Sequence, residues 1–119
     1  MTDLTREELI KILAVAEHPR LSGVNLSGLD LRNLNFANGD LTRANLSNAN
    51  LSGAYLRNAR MEEANLENAD LRGANLKGAN LKSAILRNAN LIGASMVDAI
   101  LFSAIMDGVK IDSDAGYQR

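Results

Sequence analysis

The chain has 119 residues, enough for one domain, and its 13 Lys+Arg against 14 Asp+Glu give a net charge of −1. This balance predicts no strong attraction to nucleic acid or to an anionic membrane. The absence of cysteine excludes disulfides and thiolate ligands, and a single histidine excludes a multi-histidine metal site. No apolar run approaches the ~18 residues that span a bilayer, and the first residues lack the pattern of a signal peptide. We therefore expect a cytoplasmic protein that needs no cofactor and binds neither nucleic acid nor membrane.

Residues 1–21 precede a repeat, and their pattern predicts a helical cap with a helix over residues 6–17. Thr5 followed by Glu8 has the form of a capping box. The helix should end before His18-Pro19, because proline disfavours helical geometry in the residue before it. We expect the helix to cover one end of the following domain rather than to bind a membrane, because its basic residues are balanced by acidic ones. Its apolar stripe consists of Leu9, Ile12, Leu13 and Ala16.

A five-residue repeat runs from residue 24 to residue 111. The third residue of each five, called the centre here, is Leu thirteen times, Met three times, and Phe and Ile once each, from Leu26 to Ile111. Two residues before the centre the chain has Ala in thirteen successive repeats, from Ala44 to Ala104. The residue directly before the centre is Asn or Asp in eleven of the eighteen repeats. Every centre is therefore apolar, while its neighbours favour turns.

A period of five fits neither a helix nor an uninterrupted strand. On a helix successive centres would scatter around the axis, and on a strand they would alternate between faces. All centres can point inward only if the chain turns once in each repeat. We therefore predict a β-solenoid over residues 22–111, an all-β fold apart from the N-terminal helix, with residues 112–119 as a polar tail.

Charge spacing predicts the number of repeats in one coil. Stacked coils lie about 4.8 Å apart, so side chains one coil apart are close neighbours. At a spacing of twenty residues, five opposite-charge pairs and only one like-charge pair occur. This favours four repeats per coil and about 4.5 coils over the repeat region. The five pairs are Asp40/Arg60, Arg43/Glu63, Glu62/Lys82, Glu67/Arg87 and Arg87/Asp107, and the like-charge pair is Arg57/Lys77.

The A-(N/D)-L-x-x motif, as in Ala44-Asn45-Leu46-Ser47-Asn48 and Ala69-Asp70-Leu71-Arg72-Gly73, resembles that of the pentapeptide-repeat family. The resemblance covers residues 24–111 without a gap. It implies a right-handed quadrilateral β-helix with four five-residue faces per coil. Proteins of this family are abundant in bacteria, especially cyanobacteria, and most have no assigned activity. The best known are quinolone-resistance proteins, which resemble duplex DNA in shape and charge and bind DNA gyrase.

Candidate chemical groups have simpler structural interpretations. The acidic residues Glu62, Glu63, Glu67 and Asp70 fall at outward positions, which favours a solvated surface over an acid–base pair or a metal site. Asp112 and Asp114 alternate but lack the other ligands of a calcium loop, and His18 has no partner acid or nucleophile. The serines of the repeat are turn residues without a base to activate them, and Met61, Met96 and Met106 are core fillers. We expect no catalytic, cofactor-binding or metal site.

Apolar residues appear at outward positions only near the end of the repeat. Up to residue 84 those positions are polar apart from Ala37 and Tyr55. In the four-repeat register, Ile100 and Phe102 share one face, and Ile85 and Ile105 share the next. We predict that Ile85, Ile100, Phe102 and Ile105 form a patch that contacts a second copy or another protein, with Phe102 as its anchor. The alternative is a terminal coil that has drifted from the motif or is covered by the tail from Asp112.

These observations suggest two functions. The first is a non-catalytic scaffold that binds another protein, and its C-terminal end contacts either that partner or a second copy in a homodimer. The second, suggested by the family resemblance, is a DNA mimic that binds a type II topoisomerase such as gyrase. Mimicry needs a dense negative surface, but residues 26–111 carry nine basic and eight acidic residues with the signs interleaved. The sequence therefore favours the scaffold.

Overall fold

The computed structural model describes residues 2–113 and contains one helix, α1, at Arg6–Val15. The predicted capping box is present: the Glu8 N–H donates to the Thr5 hydroxyl (3.1 Å), and the Thr5 N–H donates to the Glu8 carboxylate (3.0 Å). Hydrogen bonding of the Glu8 carboxylate to Thr5, first to its backbone N–H and then to its side chain, lowers the pKa of Glu8. No helix within residues 2–113 has the length and hydrophobicity to cross a membrane.

Helix α1 ends at Val15, two residues before the predicted end. Ala16 is already extended, although its N–H still donates to the Ile12 carbonyl at 3.2 Å. The chain needs these extra residues to reach the first coil, where the Pro19 carbonyl accepts the Asp40 N–H at 2.7 Å. Pro19 thus marks the position that a helix cannot pass, but α1 already ends four residues before it.

Residues 20–110 form stacked coils in which every bridge joins residues twenty apart, from Arg20–Asp40 to Asn90–Lys110. All fifteen bridges are parallel, so four pentapeptides complete one coil, as the charge spacing predicts. The expectation of β-strands needs correction. Each face contributes a single bridged residue, and the described chain contains no strand of more than one residue. A turn in every five residues leaves too little straight backbone for more.

The corners of the coil use left-handed backbone. Leu21 occupies the same position as the centres, and the eighteen residues two positions after Leu21 and after the centres from Leu26 to Met106 all have φ between 58° and 75°. Glycine and asparagine tolerate this region best, and other residues adopt it at a cost. Each corner is closed by a backbone bond from the residue three after the centre, as from Ala59 N–H to Leu56 O at 3.0 Å.

The Asn and Asp residues directly before the centres hold the corners by a second bond. In all eleven such repeats the side-chain oxygen accepts the N–H two residues later, as from Ser27 to Asn25 (3.0 Å) and from Ile92 to Asn90 (3.1 Å). This bond satisfies a backbone donor that points away from the neighbouring coil. The preference for Asn and Asp at this position therefore has a direct structural cause.

The core consists of apolar side chains only, since no polar or charged residue in the described chain is buried. Centres from Leu21 to Leu101 are buried, and the alanines two positions earlier let adjacent faces approach closely. Phe36 is the largest residue in this core. Because the interior is filled throughout the rod, functional surfaces must lie on its faces or at its ends.

Candidate functional site: the C-terminal end of the coil

The N-terminal end of the rod is covered. Leu9 of α1 is fully buried in the core cluster, and Leu4 and Leu13 pack against it. Asp3 pairs with Asn25 in the first coil: its N–H donates to the Asn25 carbonyl (2.9 Å), and its carboxylate accepts the Asn25 N–H (2.8 Å). This end therefore has an apolar cover over its core, and the edge groups of Asn25 have partners.

Arg6 extends this cover along the next face. Its guanidinium donates to the carbonyls of Asp30 and Arg32 and forms an ion pair with the Asp30 carboxylate at 3.5 Å. Arg32 binds the same carboxylate through two hydrogen bonds of 2.8 Å, and this contact holds the pKa of Asp30 well below its usual range. The carboxylate thus stays charged in the folded protein and anchors two arginines at the covered end.

The last coil lacks the side-chain bonds that hold the earlier corners. Ser95, Ile100, Ile105 and Lys110 stand where Asn or Asp stands in most repeats. None of these residues provides the bond to the N–H two positions later within the described chain. The change in the motif thus replaces Asn or Asp, whose side chains accept a backbone hydrogen bond, with four residues that do not provide this bond, two of them apolar.

The predicted patch residues lie on the outside of these last coils. Phe102 is 58% exposed, Ile100 and Ile105 are each 38% exposed, and Ile85 is half-buried. The structure brings Ile85 and Ile105 together as a bridged pair in adjacent coils. Ile100 and Phe102 follow one another along the neighbouring face. The structure thus places the four residues on the outside of the last coils and pairs two of them, and the patch as a binding surface stays a prediction.

An open cavity of about 600 Å³ lies at the C-terminal end, next to this patch. Met106, Val109 and Ile111 are core-type residues that remain half-buried here, because no further coil in the described chain packs on them. Of the four predicted patch residues, only Phe102 lines the cavity. The full lining is Leu101, Phe102, Ser103, Ala104, Met106, Val109 and Ile111.

Three of the five opposite-charge pairs at a spacing of twenty form ion pairs between adjacent coils. Arg43–Glu63 (2.6 Å) and Arg87–Glu67 (2.9 Å) are close, and Arg60–Asp40 is longer (4.0 Å). Glu62 approaches Arg60 at 3.9 Å instead of pairing with Lys82. Arg87 is engaged with Glu67 rather than with Asp107. The pairs Glu62/Lys82 and Arg87/Asp107 therefore form no ion pair in the described chain, since Arg60 approaches Glu62 and Glu67 binds Arg87.

The acidic residues in the middle of the rod do not assemble into a metal site. Asp70 is bound by two nitrogens of Arg72, at 2.9 and 2.7 Å, and this contact lowers its pKa. Residues 2–113 contain no group of three His, Asp or Glu side chains placed to hold a metal ion. One Asp112 oxygen accepts the Gly93 N–H at 2.8 Å, whereas Asp114, its partner in the calcium-loop hypothesis, lies outside the described residues, as does most of the predicted tail.

Comparison with known proteins agrees with this geometry. The profile of pentapeptide repeats matches residues 14–48 and 49–88 in eight copies. A pentapeptide repeat protein from Nostoc Pcc 7120 is 36% identical, with a TM-score of 0.81, over 96% of this chain and 94% of that one. No curated protein sequence matches the chain significantly.

Two further solved structures are similar. One, from the Arabidopsis thaliana thylakoid lumen, is 36% identical with a TM-score of 0.69, over 82% of this chain and 64% of that one. HetL, from the cyanobacterium Nostoc sp. Strain PCC 7120, is involved in heterocyst differentiation regulation. It is 38% identical with a TM-score of 0.51, over 76% of this chain and 38% of its own. The present chain thus spans less than two thirds of both proteins.

The coil geometry and these similarities define a right-handed quadrilateral β-helix, a solenoid built from repeats. The chain belongs to the pentapeptide-repeat family, as the motif in its sequence indicates.

Proposed function

We propose that this protein is a non-catalytic scaffold of about 4.5 coils, which binds another protein and associates with a second copy through its C-terminal end. The observation that carries the proposal is the open apolar end, with Phe102 exposed at the rim of the cavity. Contiguous apolar surface on a protein usually marks contact with another chain. A large exposed aromatic side chain is the kind of residue that anchors such contacts.

The backbone at this end supports the same conclusion. Inside the rod each centre donates its N–H to the next coil, as from Leu81 to the Ile100 carbonyl (2.8 Å) and from Leu86 to the Ile105 carbonyl (2.8 Å). The corresponding N–H groups of Leu101 and Met106 have no acceptor in the described chain. Unpaired edge groups are a template for pairing with another chain. A second copy offers the same edge and the same apolar surface.

The asymmetry of the two ends favours a closed dimer over a fibre. Head-to-tail stacking would need the N-terminal edge, where Leu9 already covers the core and Asp3 and Arg6 occupy several of the edge groups. Contact between two C-terminal ends uses the same surface on both copies, which is the arrangement of a two-fold dimer. Such a dimer would double the length of the rod and leave its side faces free for a partner.

The absence of catalysis is part of the proposal and is supported by the chemistry of the surface. Among the described residues that line the C-terminal cavity, Ser103 alone has a hydroxyl group, and none is a base that could activate it. Most of the carboxylates in the middle of the rod are engaged with arginines. We also place the protein in the cytoplasm, although a similar protein comes from a thylakoid lumen.

The DNA-mimic function has no observation in its favour. The acidic residues Glu63, Glu67 and Asp70 each lie within 2.9 Å of an arginine nitrogen, so the surface lacks the unbroken negative charge of duplex DNA. A gyrase supercoiling assay tests this point directly. We expect no inhibition, and clear inhibition by the purified protein would overturn the preference for a scaffold.

Sedimentation equilibrium tests the dimer. We expect the wild-type protein to associate at high micromolar concentration, and Phe102→Asp/Ile105→Asp to weaken association at least tenfold, because charges would be buried at the interface. Tyr55→Asp is the matched control, since Tyr55 is also an exposed aromatic (53%) but lies in the middle of the rod. It should associate like the wild type. A monomeric wild type, or a double variant that dimerises normally, would exclude the dimer.

A further inference from the structure

Most arginines of the rod are paired, and two are not. Six of the eight arginines in residues 2–113 have a carboxylate oxygen within 4.0 Å. Arg20 and Arg57 have neither an ion pair nor a side-chain hydrogen bond in the described chain, and both are exposed. Their charges are therefore available to a partner.

Arg57 also lies one coil away from another cation, Lys77. Arg57 and Lys77 occupy equivalent positions in adjacent coils, where the Asn58 N–H donates to the Lys77 carbonyl at 2.9 Å. They are the only like-charged residues twenty apart between residues 26 and 111. Like charges directly opposite one another destabilise a sheet. No carboxylate of the described chain forms an ion pair with Lys77. The repulsion between Arg57 and Lys77 is therefore not offset by an ion pair to Lys77.

These cations meet at one corner of the rod. Arg57 and Arg60 lie on either side of the turn that the Ala59 N–H closes on the Leu56 carbonyl at 3.0 Å. Arg60 is held only loosely, at 4.0 Å from Asp40 and 3.9 Å from Glu62. We call Arg20, Arg57, Arg60 and Lys77 the basic corner.

A cleft of about 440 Å³ opens at the N-terminal side of the basic corner. Arg20 and Arg60 line it on either side of Asp40, since the bridges Arg20–Asp40 and Asp40–Arg60 place the three residues in one column. His18, Ser22 and Asn38 add further polar groups to its walls. The cleft thus offers two guanidinium groups beside the carboxylate of Asp40. Guanidinium groups match the geometry of carboxylates.

We propose that the basic corner binds an acidic, Asp- or Glu-rich segment of a partner protein. Its four cations outnumber the two carboxylates among them, Asp40 and Glu62, so this surface is positive on a chain whose total charge is −1. Tyr55, 53% exposed and two residues from Arg57, adds an apolar contact beside the charges. The surface runs along the side of the rod, away from the C-terminal cavity, so it would stay accessible in the dimer.

A nucleic acid is the less suitable occupant. Stable binding to a duplex commonly uses about six to ten phosphate contacts, and the basic corner has only four cations. Asp40 and Glu62 also lie among them and would repel a closely spaced row of phosphates. A peptide can place its carboxylates more sparsely and bring apolar side chains to Tyr55.

Fluorescence anisotropy with a fluorescein-labelled octaglutamate peptide tests the proposal. We expect the wild-type protein to bind this peptide at 50 mM salt, with affinity decreasing as salt is added. Arg57→Glu/Lys77→Glu should weaken binding at least tenfold. Lys11→Glu/Lys110→Glu makes the same change in net charge at exposed positions outside the basic corner and should change binding less than twofold. Thermal unfolding of each variant shows that it remains folded.

Three results would overturn the proposal. The first is no binding of octaglutamate by the wild type at millimolar concentration. The second is an equal loss in both double variants, which would show that only net charge matters. The third is tighter binding of a labelled DNA duplex of equal charge that is lost in Arg57→Glu/Lys77→Glu, because this would make the corner a nucleic-acid site. The test does not depend on the dimer, whose failure appears separately in sedimentation.

Discussion

The two ends of the rod are built from the same repeat, yet within residues 2–113 one is covered and the other is open. At the N-terminal end Leu9 is fully buried, and Asp3 and Arg6 bond to backbone groups of the first coil. At the C-terminal end Asp112 provides one such bond, to Gly93, and the apolar core faces a cavity. The repeat therefore specifies the coil but not its termination. A separate segment must cover each end, or another molecule must do so.

The largest expected effect comes from removing the covered end. Deleting residues 1–19 would expose Leu26, Leu31 and Phe36 and leave the first edge unpaired. We expect this variant to aggregate or to form end-to-end stacks, detected by light scattering and sedimentation velocity. A soluble variant with the same free energy of unfolding as the full chain would show that the helix is not a cap.

A single substitution at each end measures how differently the two ends are packed. Leu9→Ala should cost about 2–5 kcal/mol, because it empties a fully buried site. Met106→Ala removes a half-buried side chain at the open end and should cost less than half as much. Urea denaturation at low micromolar concentration, where self-association is weak, measures both. Equal losses would contradict the difference between the ends.

The smallest effect is expected from overfilling the corners. Ala69 is 1% exposed, so Ala69→Leu should overpack the middle of the rod and cost about 1–3 kcal/mol. Ala104 is half-buried beside the cavity, where Ala104→Leu has room and should change stability by less than about 0.5 kcal/mol. Thermal unfolding compares the two variants. An unchanged melting temperature for Ala69→Leu would argue against a tightly packed coil.

Much of the fold could be predicted from the sequence, because the five-residue period leaves few alternatives. The spacing of opposite charges predicted the twenty-residue coil that the bridges confirm. The two roles of asparagine could not be separated by composition alone. Asn45, before a centre, bonds to a backbone N–H, whereas Asn48, after it, adopts left-handed backbone. The end of α1 was also missed, since Pro19 limits a helix without fixing its last turn.

The candidate site was only partly predictable. Phe102 stands out because an aromatic side chain falls at an outward position. Leu101, Met106 and Ile111 line the cavity, but they occupy centres, where the pattern predicts burial whether or not another coil packs on them. A sequence signal was nevertheless available: centres after Leu91 have no counterpart twenty residues later in the chain. Partner identity has no comparable signal, since it depends on a molecule other than this one.

The twenty-residue coil also controls how surfaces can be rearranged along such a rod. Because neighbours in adjacent coils are twenty residues apart, inserting one pentapeptide would move every later residue onto the next face, a quarter of a turn around the axis. Inserted between Lys77 and Ile85, it would leave the basic corner in place and rotate the Phe102 patch relative to it. Four inserted pentapeptides would restore the orientation and only lengthen the rod. The number of repeats between two binding surfaces therefore determines the angle between them, and this angle can change without altering any residue in either surface.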